Sequence, residues 1–81
     1  MGDYEKIKEK VRDLLGTQLG VEKEDIQEDD SLVEDLHMNA GDITDLIQLL
    51  SQNGFETSKI NFADIITFQD LVEVLAEESG V

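Results

Sequence analysis

With 81 residues the chain has room for one domain and one core, and it holds no cysteine for a disulfide or a thiolate metal site. Twenty Asp and Glu against six Lys and Arg set the net charge at −14, which argues against binding to nucleic-acid phosphate. Hydrophobic residues still make up 40% and fall at regular spacings, so the composition describes a folded domain over residues 1–81 and not a disordered acidic tail.

The charge is unevenly placed. Residues 1–23 hold five bases and five acids, whereas from Glu24 onward fifteen acids face one base, Lys59. A field of this kind keeps a protein in solution and steers it toward positively charged protein surfaces. Residues 1–10 alternate charge without an apolar run, so neither a signal peptide nor a membrane span is expected there. Lys6 stands where a myristoylation signal needs Ser or Thr. A monomer in the cytoplasm is the expectation.

In chain order, Tyr4, Ile7, Val11, Leu14, Leu15 and Leu19 follow the three-and-four spacing of one helical face, predicting a helix over Asp3 to Leu19. Gly16 reads as a weak spot inside it and Gly20 as its left-handed stop. Residues 21–38 read as a long ordered loop pinned to the core by Val21, Ile26, Leu32, Val33 and Leu36. A second helix is predicted from Asn39, a capping residue with Asp42 three positions on, to the Asn53-Gly54 stop. Ile43, Leu46, Ile47 and Leu50 form its buried stripe. Phe55 and Ile60 anchor the next loop, and residues 61–66 allow one short helical turn. Thr67 with Asp70 starts a last helix whose inner face is Leu71, Val72 and Leu75 and which frays at Ser79-Gly80. No strand pattern of useful length appears.

Few groups offer chemistry. His37 is the single histidine, so Cys/His nucleophilic pairs and multi-histidine metal sites are excluded. None of Ser31, Ser51, Ser58 and Ser79 sits in a G-x-S-x-G turn, and no Gly-rich phosphate loop occurs. The acids from Glu24 to Asp35 lack the ligand order and central glycine of a calcium loop. Loose divalent binding there would act mainly by relieving self-repulsion. His37 reads as a solvated loop residue within reach of Glu34 and Asp35. No enzyme activity and no dedicated metal site are expected.

The string Leu32-Val33-Glu34-Asp35-Leu36-His37-Met38-Asn39-Ala40-Gly41-Asp42-Ile43 resembles the acyl carrier protein family, whose pattern is Leu-x-x-Asp-Leu leading to Asp-Ser-Leu-Asp. Leu19-Gly20-Val21, the Glu-Asp-Asp-Ser-Leu stretch at 28–32, Gly54-Phe55 and Thr67-Phe68-Gln69-Asp70-Leu71-Val72 resemble family features as well, so the likeness covers nearly the whole chain. It implies an all-α, four-helix acyl-carrier-like bundle, with three longer helices, one short one and a long first loop.

In that family, phosphopantetheine is joined to a serine at the start of the second helix and carries acyl groups between enzymes. Here that position is Ala40, which has no oxygen to modify, so no cofactor is expected for the sequence as it stands. Three of four motif positions depart, in Asn39-Ala40-Gly41-Asp42, which favours natural divergence over an engineered Ser-to-Ala change. The resemblance further implies that Asp42 and Asp45, flanked by Asp35 and Glu56, form an acidic docking surface for basic patches on enzymes of fatty-acid or polyketide-type metabolism. The neutral Gln48, Ser51 and Gln52 thin that surface. Helix capping is an equally good reading of Asp42, and the two roles coexist. Two alternatives stand beside a docking module without its prosthetic group: a true acyl or aminoacyl carrier whose native residue 40 is serine, and a structural adaptor unrelated to acyl transfer.

Overall fold

The apolar stripe of the first helix is what the domain is built on. A computed structural model describes residues 2–78 and forms this stripe as α1 (Gly2–Leu19). Val11 and Leu15 are fully buried, with Tyr4, Ile7, Leu14 and Leu19 packed partly buried around them. Helix α2 (Ala40–Gln52) and helix α3 (Phe68–Glu78) both pack on α1. Two single 3-10 turns, Lys23–Asp25 and Phe62–Asp64, lie in the connections. The short helix anticipated over residues 61–66 is the second of these, and the first was not anticipated. Among the described residues there is no strand, so the all-helical expectation holds. The fraying expected at Ser79-Gly80 lies outside the described residues.

Each helix closes the core for a local reason. α2 buries Leu46 and Leu50, and Ile43 packs partly buried beside them, while Ile47 is half-buried at the edge of the stripe. α3 buries Phe68, Leu71, Val72 and Leu75. Its start is held by a reciprocal cap: Asp70 N–H donates to Thr67 Oγ1 at 3.1 Å, and Thr67 N–H donates to Asp70 Oδ2 at 3.1 Å. Ile66 N–H donates to the same Oδ2 at 3.2 Å, and these backbone donors hold the Asp70 carboxyl below its usual range. Phe68 opens that stripe, three and four positions before Leu71 and Val72, and Met38 completes the core from the loop, where no helical spacing marks it. Arg12 lies over the Phe68 ring at 5.5 Å and pairs with Glu9 at 3.2 Å.

The long first loop is stitched to α3 by backbone bonds that no periodicity announces. Ser31 and Thr67 form an isolated antiparallel bridge. Leu32 N–H donates to Ile66 O at 2.9 Å, Phe68 N–H to Asp30 O at 3.0 Å, and Gln69 N–H to Glu28 O at 2.9 Å. The side chain of Glu28 reaches the other way and accepts from Lys8 Nζ at 2.8 Å. That bond holds the Glu28 carboxyl below its usual range and raises the Lys8 ammonium. One loop thus ties α1 to α3.

Two of the five expected pins fail. Ile26 and Leu32 are buried and Leu36 is half-buried, but Val21 is 42% and Val33 62% exposed. Val33 sits inside a turn closed by Asp35 N–H and Leu36 N–H onto Ser31 O, and a turn that aims Leu32 inward aims its neighbour out. Gly16 was also misread as a mere weak spot. A Cβ there would stand 3.0 Å from Val21 O, because the chain folds back over α1 with Gly20 and Val21 both donating to Gly16 O. Gly20 ends the helix at φ +74°, as anticipated.

Candidate functional site

The α2 N-terminus is built by four consecutive residues. Asn39 is extended, and its Oδ1 accepts from Asp42 N–H at 2.8 Å while Asp42 Oδ2 accepts from Asn39 N–H at 3.1 Å. This capping box satisfies two backbone donors at once and puts a carboxylate at the positive end of the helix. Ala40 is the first helical residue, exposed, with a methyl side chain. A Cβ at Gly41 would lie 3.3 Å from Asn39 Oδ1, so glycine leaves the capping amide room.

The hydroxyls nearest in sequence to Ala40 are engaged in backbone bonds. Thr44 Oγ1 donates to Ala40 O at 3.1 Å, and Ser31 Oγ accepts from Glu34 N–H at 3.0 Å. Neither is an oxygen on the side chain at position 40.

The four carboxylates singled out from the sequence divide by what they hold. Asp35 Oδ2 accepts from Ser31 N–H at 2.7 Å and closes the turn before α2. Glu56 Oε1 accepts from Ser58 N–H at 3.1 Å and Ser58 Oγ at 2.8 Å, bonds that keep its carboxyl below the usual range. Asp42 serves the cap. Asp45 is exposed on α2, and its carboxylate has no hydrogen bond or ion pair among the described residues. Asp42 and Asp45 share one helix, three positions apart; Asp35 and Glu56 stand in the segments before and after it. Their local bonds each use one carboxylate oxygen.

The electrostatic setting follows from where the bases went. Lys8 pairs with Glu5 and Glu28, Arg12 with Glu9, and Lys23 with Asp13, all on α1 or the first loop. No Lys or Arg lies between residues 24 and 58, so α2 itself carries none, and the one base after it, Lys59, acts on Glu56. Among the described residues His37 makes no ion pair with Glu34 or Asp35. Its distinguishing feature is backbone, a φ of 61° in the left-handed region.

Gln18 is the residue that the sequence reading missed. Its Nε2 donates to Asp42 O at 2.8 Å, tying the last turn of α1 to the first of α2. The signal was present: position 18 continues the apolar stripe through Val11 and Leu15, and a glutamine on that stripe needs a polar partner inside. An open cleft of about 310 Å³ lined by Asp13, Gly16, Thr17 and Lys23 lies beside the end of α1 and includes none of the four carboxylates. Among the described residues no cluster of His, Asp and Glu could hold a metal ion, and no helix is long and apolar enough to cross a membrane.

The chain is thus a small helical bundle whose second helix is capped, carries Asp42 and Asp45, and follows a long loop stitched to α3. Comparison with known proteins specifies it further. The family described as "Phosphopantetheine attachment site" matches residues 9–75. The acyl carrier protein of Chlamydia muridarum is 32% identical over 75 residues, covering 91% of this chain and 97% of that one. The acyl carrier protein of Coprothermobacter proteolyticus is 33% identical over 74 residues, 90% of each chain. That of Solidesulfovibrio magneticus is 29% identical over 75 residues, 91% and 96%. The chain belongs to the acyl carrier protein family. Its members bind phosphopantetheine, act as carriers and not as enzymes, and interact with enzymes of acyl metabolism.

Proposed function

We propose that this chain is an acyl-carrier-like docking module of fatty-acid or polyketide-type metabolism that takes no phosphopantetheine at position 40. Ala40 stands in the place of the family's attachment serine and has no nucleophilic oxygen. A phosphodiester to the protein needs such an oxygen, so the residues present do not fit the covalently held group. The observation that carries this reading is the intact capping box around a methyl side chain: Asn39 and Asp42 still shape the helix start, and the atom that would be modified is missing.

Docking is the function left to the fold. Asp42 and Asp45 on α2, with Asp35 and Glu56 beside it, attract Lys- and Arg-rich surfaces of acyl-metabolism enzymes, and Gln18 holds the α2 start in place from behind. Asp45 is the carboxylate with no competing structural duty. Association of this kind is salt-sensitive, because exposed charges are screened within about 8 Å at physiological ionic strength. The domain works as a monomer in the cytoplasm.

A broad-specificity phosphopantetheinyl transferase with coenzyme A, read by intact mass, tests both halves. The native chain is expected to gain no mass, and Ala40→Ser to gain one phosphopantetheine, because the transferase still recognises the helix. Modification of the native chain would sink the first half; an Ala40→Ser protein that folds but stays unmodified would sink the second.

A further inference from the structure

The end of α2 carries a chemical site that docking does not use. Asparagine followed by glycine is the pair in which a backbone nitrogen most readily attacks a side-chain amide, because glycine has no side chain to obstruct the approach. Asn53 and Gly54 are such a pair, and both are exposed. The fold engages both reacting nitrogens. Asn53 Nδ2, the nitrogen that would leave, donates to Leu49 O at 2.8 Å. Gly54 N, the nitrogen that would attack, donates to Ser51 O at 3.2 Å. Ring closure needs the Gly54 nitrogen to swing alongside the Asn53 Cβ. With ψ of 16° at Asn53, it is held on the side of that residue's own backbone nitrogen instead.

We infer that Asn53 is a latched deamidation site, protected while the last turn of α2 is closed and reactive when it opens. On opening, Gly54 N forms a bond to Asn53 Cγ and loses its proton, the Cγ–Nδ2 bond breaks, and ammonia leaves. Water then opens the cyclic imide at either carbonyl, giving aspartate or isoaspartate at position 53. No oxidant or cofactor is involved.

The product cannot restore the latch. A carboxylate has no N–H to donate to Leu49 O, and it lies at the negative end of the helix, where anions are disfavoured. The isoaspartate form also lengthens the backbone beside Gly54, whose φ of +90° leads into the bond from Phe55 N–H to Leu50 O at 3.0 Å. Phe55 packs against the core, so the modified end of α2 loses its anchor. The reaction therefore runs one way and adds a negative charge at the end of a helix that carries no Lys or Arg.

Opening is the controlling step, and self-repulsion at net −14 favours it. Peptide mapping of the full chain after timed incubation at neutral pH measures the products at position 53. The expected rate is at least about tenfold lower in the folded protein than in urea, given two bonds to break in a local opening. It is expected to fall further from low to moderate salt and to be abolished by Asn53→Gln. The directly made Asn53→Asp protein is expected to melt at a lower temperature than the native chain. Equal rates in folded and urea-unfolded protein, or products at Asn39 or Asn61 ahead of those at Asn53, would overturn the latch.

Discussion

Replacing Gly16 by alanine sets two magnitudes against each other. Gly16 is inside α1, where alanine is favoured over glycine by about 1 kcal/mol. If the helix stood alone, Gly16→Ala would stabilise it. The added Cβ would meet Val21 O at 3.0 Å, tight enough that the neighbour must give way by a few tenths of an ångström, with Lys23 N at 3.6 Å behind it. The obstructing atom is backbone and has little freedom: Gly20 N–H and Val21 N–H both donate to Gly16 O, and Lys23 is tethered to Asp13 at 3.4 Å. Forcing one extra carbon into such a contact costs about 1–3 kcal/mol, so the clash outweighs the propensity and the net loss is about 1 kcal/mol. For a chain of this size that lowers Tm by about 4–8 °C. Thermal melts followed by far-ultraviolet circular dichroism check it, with Thr17→Ala as the companion. Thr17 is exposed on the same turn, so its replacement carries the propensity gain without the contact and is expected to raise Tm slightly. A Gly16→Ala protein more stable than the native chain would refute the close-approach argument.

His37→Gly is expected to stabilise the fold. A left-handed φ costs a non-glycine residue about 1–2 kcal/mol, of which glycine's greater freedom when unfolded returns about 0.5–1 kcal/mol. A denaturant midpoint that stays the same or falls would count against a strained loop. The acid limb of stability is assigned to Asp70 and Glu28. Both carboxyls are held below their usual range in the folded chain, so their contribution is present above the unfolded pKa of about 4 and is lost as pH falls through the folded values. Lys8 is raised, so its share is lost only as pH climbs beyond about 10. Relief of self-repulsion works the other way in mild acid, which places the expected maximum of Tm near pH 5, with a fall by pH 3. Asp70→Asn should flatten that fall; a Tm that keeps rising down to pH 3 would exclude it.

The three helices and their caps were legible in the chain because the signals are local. Apolar residues three and four apart define a face whatever the rest of the molecule does, and Asn39 with Asp42, or Thr67 with Asp70, meet within a single turn. The resemblance to carriers was legible for the same reason, as strings around residues 28–43 and 67–72. The four carboxylates could be named but not sorted. That Asp35 and Glu56 spend an oxygen on neighbouring backbone while Asp45 spends none depends on turn geometry. No spacing rule encodes it.

What the tertiary structure alone decided are the meetings between distant segments. Gln18 on Asp42 O, Lys8 on Glu28, and the bridge between Ser31 and Thr67 join residues 20 or more positions apart, and the backbone groups in the first and last of these are the same in every sequence. Gly16 shows the difference most directly. Read locally it is a poor helix residue; only the return of the chain at Val21 makes the missing Cβ a requirement, since the contact exists only after the loop has folded back. The acyl carrier type came from the resemblance of the chain's strings to that family, and the sequence by itself determined a small acidic helical domain, because composition and periodicity are properties of the chain. Packing determined which residues within it are free to act, because freedom is what remains after neighbours have been satisfied.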